Sequence, residues 1–305
     1  MFKNTLDNKR YYTLNCFYRK KFKNKVFKVP LDAHMSCPNK QDGVGCIYCE
    51  DNSKANITDR NKSIEEQFLE NIKTLEKKWP NSYYIPYFQA GTNTYAKVDE
   101  LKNLFEKLLD YPKVVGLSIA TRCDCLNNDV LDYLSDLNKR TFLTIEMGLQ
   151  SSNNETLKLI NRGHTKEDFV IGVKKLKERN IFVCAHIING LINDDINDMV
   201  NTAKLLNDIG VDAVKIHMLY IAKGTKLDSL YKSKPFHVLS KEEYTNIVIK
   251  QLEYLNEDIV IERITGDPIK ETLVEPTWLL KKFCVLNDID KEMVKRNTYQ
   301  GKNVK

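Results

Sequence analysis

Short runs of β-branched and aromatic residues alternate with longer segments of helical periodicity over most of this chain. Residues 26–35 form the first predicted strand, residues 259–264 form a last short one, and strand–helix units repeat about six times between them. Parallel neighbours need crossover connections, and right-handed crossovers curl such a sheet toward a barrel. The alternation therefore predicts an α/β fold, a partial (β/α)6 barrel similar to a TIM barrel.

The predicted elements divide the chain into three parts. An N-terminal extension covers residues 1–25, a core barrel covers residues 26–258, and a C-terminal extension packed on the barrel covers residues 259–305. Ser63 and Glu66 have the spacing of a capping box at the start of the first long helix. The other predicted strands are residues 83–89, 114–120, 141–147, 182–188 and 213–219, and the predicted helices are residues 63–79, 98–109, 128–137, 155–160, 166–178, 196–209 and 241–255.

The composition argues against two classes of protein. Hydrophobic residues make up 42% of the 305 residues, so the chain can bury a core and is not a disordered protein. The sequence contains no run of about 18 apolar residues and no apolar leader, which predicts a cytoplasmic protein without a membrane partner. In that compartment the eight cysteines are more often ligands or catalytic thiols than a disulfide framework. Nothing in the pattern indicates the oligomeric state.

Basic residues are concentrated near both ends of the chain. The net charge of +6 permits a nucleic-acid partner without requiring one. In the N-terminal stretch they alternate with aromatic residues, which is typical either of a leader anchored on the barrel by its aromatic rings or of a phosphate-contacting patch for RNA. These residues are Arg19, Lys20, Lys21, Lys23, Lys25 and Lys28, and the C-terminal group comprises Lys270, Lys281, Lys282, Lys291, Lys295 and Arg296.

Three cysteines, Cys37, Cys46 and Cys49, directly follow the first predicted strand. Chemistry in parallel barrels lies at the carboxyl ends of the strands, so a site is expected here. Gly43 and Gly45 allow the intervening loop to turn back on itself. Three thiolates suit a [4Fe–4S] cluster, whereas structural zinc would want a fourth ligand, usually from a second paired motif. A C-x-x-C redox pair is the third interpretation.

A cluster held by three thiolates leaves one iron open, and that iron can chelate the amino and carboxylate groups of S-adenosylmethionine (SAM). One electron from the reduced cluster then cleaves the sulfonium C–S bond, and the resulting 5′-deoxyadenosyl radical abstracts hydrogen from a substrate. The protein has to hold these partners close together and exclude water and oxygen.

Polar and small residues follow other predicted strands. Glu146 in the fourth strand is costly to bury unless it binds a ligand such as a ribose diol or pairs with a basic neighbour. Arg162 could neutralise the SAM carboxylate by a bidentate contact. His186 in the fifth strand either faces the cavity or is a satisfied core histidine. The small residues after the second strand form an ordinary turn or let the backbone approach a ligand such as the SAM amino group; they are Gln89, Ala90, Gly91 and Thr92.

Charged residues and thiols also follow the third predicted strand. Arg122 and Asp124 either bind substrate or bind each other. The neighbouring Cys123 and Cys125 are predicted to be ordinary thiols, with a catalytic donor as the alternative.

Five motifs follow one another along the chain: Cys37…Cys46-x-x-Cys49, residues 88–96 (FQAGTNTYA), 121–126 (TRCDCL), 146–151 (EMGLQS) and 161–164 (NRGH). Together they resemble the YhcC/YtqA-like branch of the radical SAM proteins, which is related to the radical SAM core of the Elongator catalytic subunit. The similarity covers nearly the whole chain. Each motif alone is weak, and their ordered combination is highly specific.

The resemblance implies a barrel of the radical SAM type, with a [4Fe–4S] cluster and SAM at its mouth. It makes the three cysteines the cluster ligands, and residues 89–92 match the superfamily motif for the SAM amino group. Other positions match those that related enzymes use for SAM, including an aromatic residue near adenine: Glu146, Gln150, Arg162 and Tyr48.

The resemblance also points to tRNA as the substrate. It implies an MnmL-like step at the wobble uridine, in which a 5-carboxymethylaminomethyl group is converted toward 5-aminomethyl, with an electron donor such as flavodoxin or ferredoxin. Aromatic residues that could stack an unpaired base are in keeping with RNA. Two alternatives stay open: a radical SAM enzyme acting on a small metabolite or peptide, and a zinc-stabilised RNA-binding module without catalysis.

Overall fold

Seven parallel strands, adjacent in the order in which the chain supplies them, form the main sheet of the computed structural model. The structure describes residues 4–5, 8–41, 45–50 and 61–304. A second, two-stranded sheet is antiparallel. The main sheet contains β1 (Val26–Leu31), β2 (Tyr83–Phe88), β3 (Gly116–Thr121), β4 (Phe142–Gln150), β5 (Phe182–Asn189), β6 (Ala213–Met218) and β8 (Val260–Arg263), and the small sheet contains β7 (Ile221–Ala222) and β9 (Leu273–Glu275).

The main sheet is curled. Strands lie about 4.8 Å apart in a sheet, so a flat arrangement would separate the first and last of seven strands by about 29 Å. Lys28 on β1 nevertheless bonds Glu262 on β8 at 2.6 Å. The two edges therefore approach each other across the concave face, which confirms the predicted α/β partial barrel.

The sheet has one strand more than the six of the predicted (β/α)6 barrel. The additional strand, β8, comes from the segment that we assigned to the C-terminal extension, and it pairs in parallel with β6. Its residues Val260 and Ile261 are buried. The hydrophobic effect therefore holds this segment in the sheet rather than on its outside, and a barrel boundary at residue 258 is too early.

Helices follow most of the strands. Four of the described helices begin with reciprocal capping boxes, including the predicted pair Ser63 and Glu66 at the start of Ile64–Lys78, and such pairs satisfy backbone N–H groups that a helix start leaves open. Among the helices that the structure describes, none combines the length and apolar character needed to cross a bilayer. The helices are α1 (Leu14–Phe22), α2 (Pro38–Gln41), α3 (Ile64–Lys78), α4 (Val98–Phe105), α5 (Asn128–Arg140), α6 (Asn154–Leu159), α7 (Lys166–Lys177), α8 (Ile196–Asp208), α9 (Lys226–Ser233), α10 (Lys241–Tyr254) and α11 (Lys282–Lys295).

Helix α1 closes the amino end of the barrel. Phe17 packs on Phe142 and Phe182, the first residues of β4 and β5, with ring centroids 5.9 and 5.1 Å apart. Tyr18 on the same helix is buried. The aromatic residues of the N-terminal stretch thus anchor it on the barrel, as the packing interpretation predicts, and the helix lies at the end opposite to the carboxyl ends of the strands.

Helix α11 runs from the carboxyl end of the barrel to the amino end. At its start, Lys282 pairs with Asp267, which follows β8, at 2.6 Å. Beyond its end, Gln300 accepts a hydrogen bond from the backbone N–H of Tyr12, just before α1, at 2.8 Å. The C-terminal basic residues are therefore divided between the two ends of the molecule.

Candidate active site

A cavity of about 330 Å³ lies at the carboxyl ends of the strands, within the curl of the sheet. All three cysteines line it, as do most of the other residues that we predicted for a site. Ala90 is the exception, because it lies on the β2–α4 loop outside the cavity wall. The predicted residues that line the cavity are Cys37, Cys46, Tyr48, Cys49, Gln89, Gly91, Thr92, Glu146, Gln150, Arg162 and His186.

The cysteine loop is fastened to the segment that follows α6. Asn39 donates to the Asn161 carbonyl at 2.8 Å, and Asn161 donates to the Gly45 carbonyl at 2.7 Å. A Cβ at Gly163, where φ is +76°, would collide with the Asn39 side chain. Gly163 therefore allows a close approach that positions the cysteines, while Gly43 lies outside the described residues.

The β2–α4 loop supports the same cysteine loop from the other side. The backbone N–H of Thr92 donates to the Ser36 carbonyl at 3.2 Å. Gly91 has a φ of +81°, and a Cβ there would collide with the carbonyl oxygen of Met35. The β2–α4 loop thus approaches residues 35–36, directly before Cys37, by backbone contact.

Arg162 presents a fixed guanidinium beside the cysteines. It donates to the Gly148 carbonyl at 2.8 Å and lies 3.8 Å from Cys46 Sγ. Burial alone would lower the pKa of Arg162, but Tyr48 and the Cys46 thiol raise it, so the group stays charged. The result is a preorganised anion-binding group.

Unpaired polar atoms show that the cavity suits a polar cofactor. Within the described residues, Arg162 Nε and Gln150 Oε1 are buried without a hydrogen-bond partner. Buried polar atoms are nearly always paired, so these two are expected to meet a ligand. Three thiols beside such atoms fit a [4Fe–4S] cluster and the polar groups of SAM. Burial raises the pKa of the Cys49 thiol, so metal binding has to displace its proton.

Glu146 is the centre of a buried network rather than an open ligand group. One carboxylate oxygen accepts from Lys28 and Ser118, both at 2.7 Å. The other accepts from Tyr87 at 2.8 Å and from Lys215. The ion pair, our alternative to ribose binding, is therefore present, and a ribose contact would require this network to open.

His186 completes the network on the cavity side. Its Nε2 lies 2.7 Å from a Glu146 oxygen, and burial lowers the pKa of the imidazole, so the neutral ring donates a hydrogen bond from Nε2–H to the carboxylate. The ring centroid of His217 lies 5.6 Å away. His186 thus faces the cavity, as we predicted, and its Nε2 is already engaged by protein.

Our sequence reasoning missed most of the network around Glu146. Lysines inside otherwise apolar strands are a signal that could have revealed it, because a buried lysine needs an anionic partner. The missed members are Lys28, Tyr87, Ser118, Lys215 and Glu262.

Arg122 and Asp124 bind each other. The guanidinium donates to both carboxylate oxygens, at 2.9 and 2.7 Å. Burial and the nearby Asp124 raise the pKa of Cys123 and of Cys125 to about 12. Both are therefore protonated thiols at neutral pH.

The chain matches known proteins along its length. The Radical SAM superfamily model matches residues 36–206, and the Radical_SAM C-terminal domain model matches residues 211–295. The protein YtqA of Bacillus subtilis (strain 168) is 43% identical over 298 residues, which cover 96% of this chain and 92% of that protein. A tRNA uridine(34) acetyltransferase of Methanocaldococcus infernus is 29% identical over 139 residues, which cover 45% of this chain and 26% of that protein.

A solved structure has the same fold. The archaeal Methanocaldococcus infernus Elp3 with an N-terminal deletion superimposes with a TM-score of 0.69 at 21% sequence identity. The match covers 90% of this chain and 64% of that one, less than two thirds of its length.

The superfamily match spans more than half of the chain and includes the cysteine loop. The cofactors of this superfamily, a [4Fe–4S] cluster and SAM, suit the thiols and unpaired polar atoms of the cavity. The family thus favours a cluster over zinc or a redox pair at the three cysteines. The chain is a radical SAM enzyme of the YhcC/YtqA-like family, related to the catalytic subunit of Elongator.

Proposed function

We propose that this enzyme modifies tRNA by converting a 5-carboxymethylaminomethyl group on the wobble uridine toward 5-aminomethyl. Hydrogen abstraction beside the amine and loss of one further electron to an oxidised electron carrier would give an iminium ion. Water would then cleave its C–N bond and release the carboxymethyl carbons as a two-carbon oxo acid. The observation that carries the proposal is the cavity in which three cysteines meet unpaired atoms of Arg162 and Gln150. The partly matching tRNA uridine(34) acetyltransferase supports tRNA as the substrate class. The electron donor that we propose is a flavodoxin or a ferredoxin.

The cavity residues divide into cluster ligands and SAM contacts in this proposal. The three cysteines would bind the cluster, and residues 89–92 would receive the SAM amino group through the β2–α4 backbone. Arg162 would bind the SAM carboxylate without moving, because the Gly148 carbonyl already orients it. Tyr48 and Gln150 would contact the nucleoside part. When bound, the reduced cluster and SAM supply the radical that takes hydrogen from the substrate.

The network around Glu146 has a supporting role beneath these contacts. Lys28 and Lys215 neutralise the carboxylate, and Tyr87 and Ser118 saturate its oxygens. Because both oxygens of Glu146 already accept hydrogen bonds from the protein, this carboxylate offers little to water at the reacting centre, which helps to protect a reactive intermediate.

The test is anaerobic reconstitution with iron and sulfide, followed by incubation with SAM, reductant and tRNA from a strain that lacks the enzyme. Mass spectrometry of the nucleosides should show 5-carboxymethylaminomethyluridine falling as 5-aminomethyluridine rises. If SAM is cleaved while every tRNA nucleoside stays unchanged, the RNA substrate is wrong, and a small metabolite or peptide becomes the better candidate. If zinc is retained in place of iron and sulfide, the radical chemistry itself is wrong.

Cys37→Ala should abolish cluster assembly and SAM cleavage while most of the barrel stays folded, because one thiolate ligand is lost. Iron and sulfide content and 5′-deoxyadenosine formation are the measurements. Cys284→Ala is the matched control, since Cys284 is exposed on α11. Parental 5′-deoxyadenosine formation by Cys37→Ala would contradict the ligand assignment.

A further inference from the structure

The cavity wall formed by β6 and β8 carries donor groups that the proposed cofactor contacts do not use. His217 on β6 and Arg263 on β8 both line the cavity. The cysteines follow β1 and Arg162 follows β4, so neither β6 nor β8 supplies a residue of the proposed cluster and SAM contacts. This wall is therefore available to a second molecule.

A β-bulge brings Arg263 into the cavity. The pairing of β6 with β8 shifts register between Val214 and Lys215. Val214 pairs with Ile261 and Lys215 pairs with Arg263, so Glu262 lies between two paired residues of β8. Consecutive residues of a regular strand point to opposite faces. Here Glu262 bonds Lys28 inside the barrel while Arg263 lines the cavity. Bulges commonly redirect a side chain in this way next to active sites.

Two other positive charges that line the cavity are already neutralised within the described residues. A neutralised cation offers little to an incoming anion, because its nearest negative charge is already in place. The pairs are Lys215 with Glu146 and Glu262, and Arg122 with Asp124.

Arg263 and His217 are less completely satisfied. In the described part of the chain, Arg263 has one carboxylate partner, Asp267 at 3.0 Å, and Lys282 shares that carboxylate at 2.6 Å. Two cations thus divide one negative charge. His217 Nε2 is buried and makes no hydrogen bond to any described residue. Burial, with His186 and Arg263 nearby, lowers the pKa of His217 well below its usual value, so the ring is neutral and offers one N–H.

Resting on the function proposed above, we propose that Arg263 and His217 form the subsite that binds the carboxylate of the substrate's carboxymethyl group. A carboxylate would supply the missing negative charge beside Arg263 and an acceptor for His217 Nε2. Substrate and product both carry a protonated amine, but the product lacks the carboxylate that balances it, so Arg263 repels the net positive charge of the product. The subsite therefore selects substrate over product by charge.

The experiment compares two anticodon stem–loop RNAs on reconstituted, SAM-loaded enzyme without reductant. One carries 5-carboxymethylaminomethyluridine at the wobble position, and the other carries the same group with its carboxylate replaced by a primary carboxamide. The parental enzyme should bind the carboxylate RNA roughly tenfold more tightly, as expected for hydrogen bonds to a charged group. In Arg263→Gln the two dissociation constants should become nearly equal, and Arg263→Lys should keep part of the difference.

Lys282→Gln leaves the whole Asp267 carboxylate to Arg263, so it should reduce the preference for the carboxylate RNA. Lys232→Gln is the matched control, because Lys232 pairs with Asp228 on α9 and neither residue lines the cavity. It should retain the parental preference. Equal binding of both RNAs by the parental enzyme would overturn the subsite and leave the proposed function standing. No preference for either RNA over an unmodified stem–loop would overturn the proposed function and the subsite with it. A loss of SAM affinity in Arg263→Gln with the RNA preference intact would assign the subsite to the SAM carboxylate and overturn our proposal.

Discussion

At the residue scale, the network around Glu146 balances two buried lysines against two buried glutamates. Burial alone would raise the pKa of Glu146, but Lys215 and Lys28 lower it well below its usual value. Burial alone would lower the pKa of Lys28, but Glu146 and Glu262 raise it well above its usual value. Glu146 and Lys28 are therefore charged at neutral pH, and the loss of either one leaves an uncompensated charge in the barrel.

Glu146→Gln should destabilise the protein by about 3–5 kcal/mol, because two buried lysines would then share one carboxylate. The free energy of unfolding in urea measures this. The stabilisation from Glu146 is present above the ordinary carboxylate pKa and should be lost as the pH falls toward the depressed pKa of the folded state.

The double variant with Glu146→Gln and Lys215→Gln is the control for charge balance. It removes one charge of each sign, so part of the lost stability should return. A double variant that is less stable by the sum of both single losses would mean that the two residues act independently, contrary to the network.

At the element scale, the β2–α4 loop positions the cysteine loop through its backbone. Gly91→Ala should lower the iron and sulfide content of the reconstituted protein, because the new Cβ would push against the Met35 carbonyl and displace the chain leading to Cys37. Metal and sulfide analysis and the melting temperature are the measurements.

Gly224→Ala isolates the backbone strain in that experiment. Gly224 has a φ of +82°, and no atom of the described chain lies within 4 Å of a Cβ built there. Its substitution should cost only the left-handed strain of about 1–2 kcal/mol and leave cluster content unchanged. Equal cluster loss in both variants would remove the positioning role of Gly91.

Elements with strong local signals could be predicted from the sequence, whereas those that depend on tertiary contacts could not. The capping box at Ser63 and the apolar runs of the strands are local signals, and both are confirmed. Helix α1 was missed because its aromatic residues gain their role only against Phe142 and Phe182. The first strand ends at Leu31 rather than residue 35, since its ladder with β2 ends at the pair Leu31 and Phe88.

The residues of the candidate site also divide into those that local sequence could predict and those that depend on tertiary contacts. The cysteine motif and Arg162 could be predicted because thiols directly after a strand indicate metal binding and a guanidinium near a strand end indicates anion binding. Arg263 lines the cavity because of a bulge in the β6–β8 pairing, and the local sequence does not predict that bulge. Lys28 was misassigned to a basic surface group because its partners, Glu146 and Glu262, are distant in sequence.

At the scale of the whole molecule, basic residues lie at both ends of the barrel, and the first part of the C-terminal basic group lies at the cavity end. Arg19 and Lys23 belong to α1 and its C-cap, at the amino end. Lys270 and Lys281 are exposed beside the cavity end, where Thr272 lies 3.4 Å from Glu50, the residue after Cys49. Phe283 is 70% exposed next to them in sequence, an aromatic ring on which a base could stack. We therefore expect RNA to contact this end.

Lys270→Gln with Lys281→Gln should weaken tRNA binding. It should also make the fall of log affinity with log salt shallower by about two in slope, because each lysine lost removes about one phosphate contact. Titrations of tRNA at several salt concentrations measure both quantities. Arg19→Gln with Lys23→Gln removes the same charge from the opposite end, so it should change neither affinity nor slope. Equal weakening by the two pairs would show that RNA responds to overall charge, and an effect confined to the α1 pair would place the RNA at the amino end, away from the cavity.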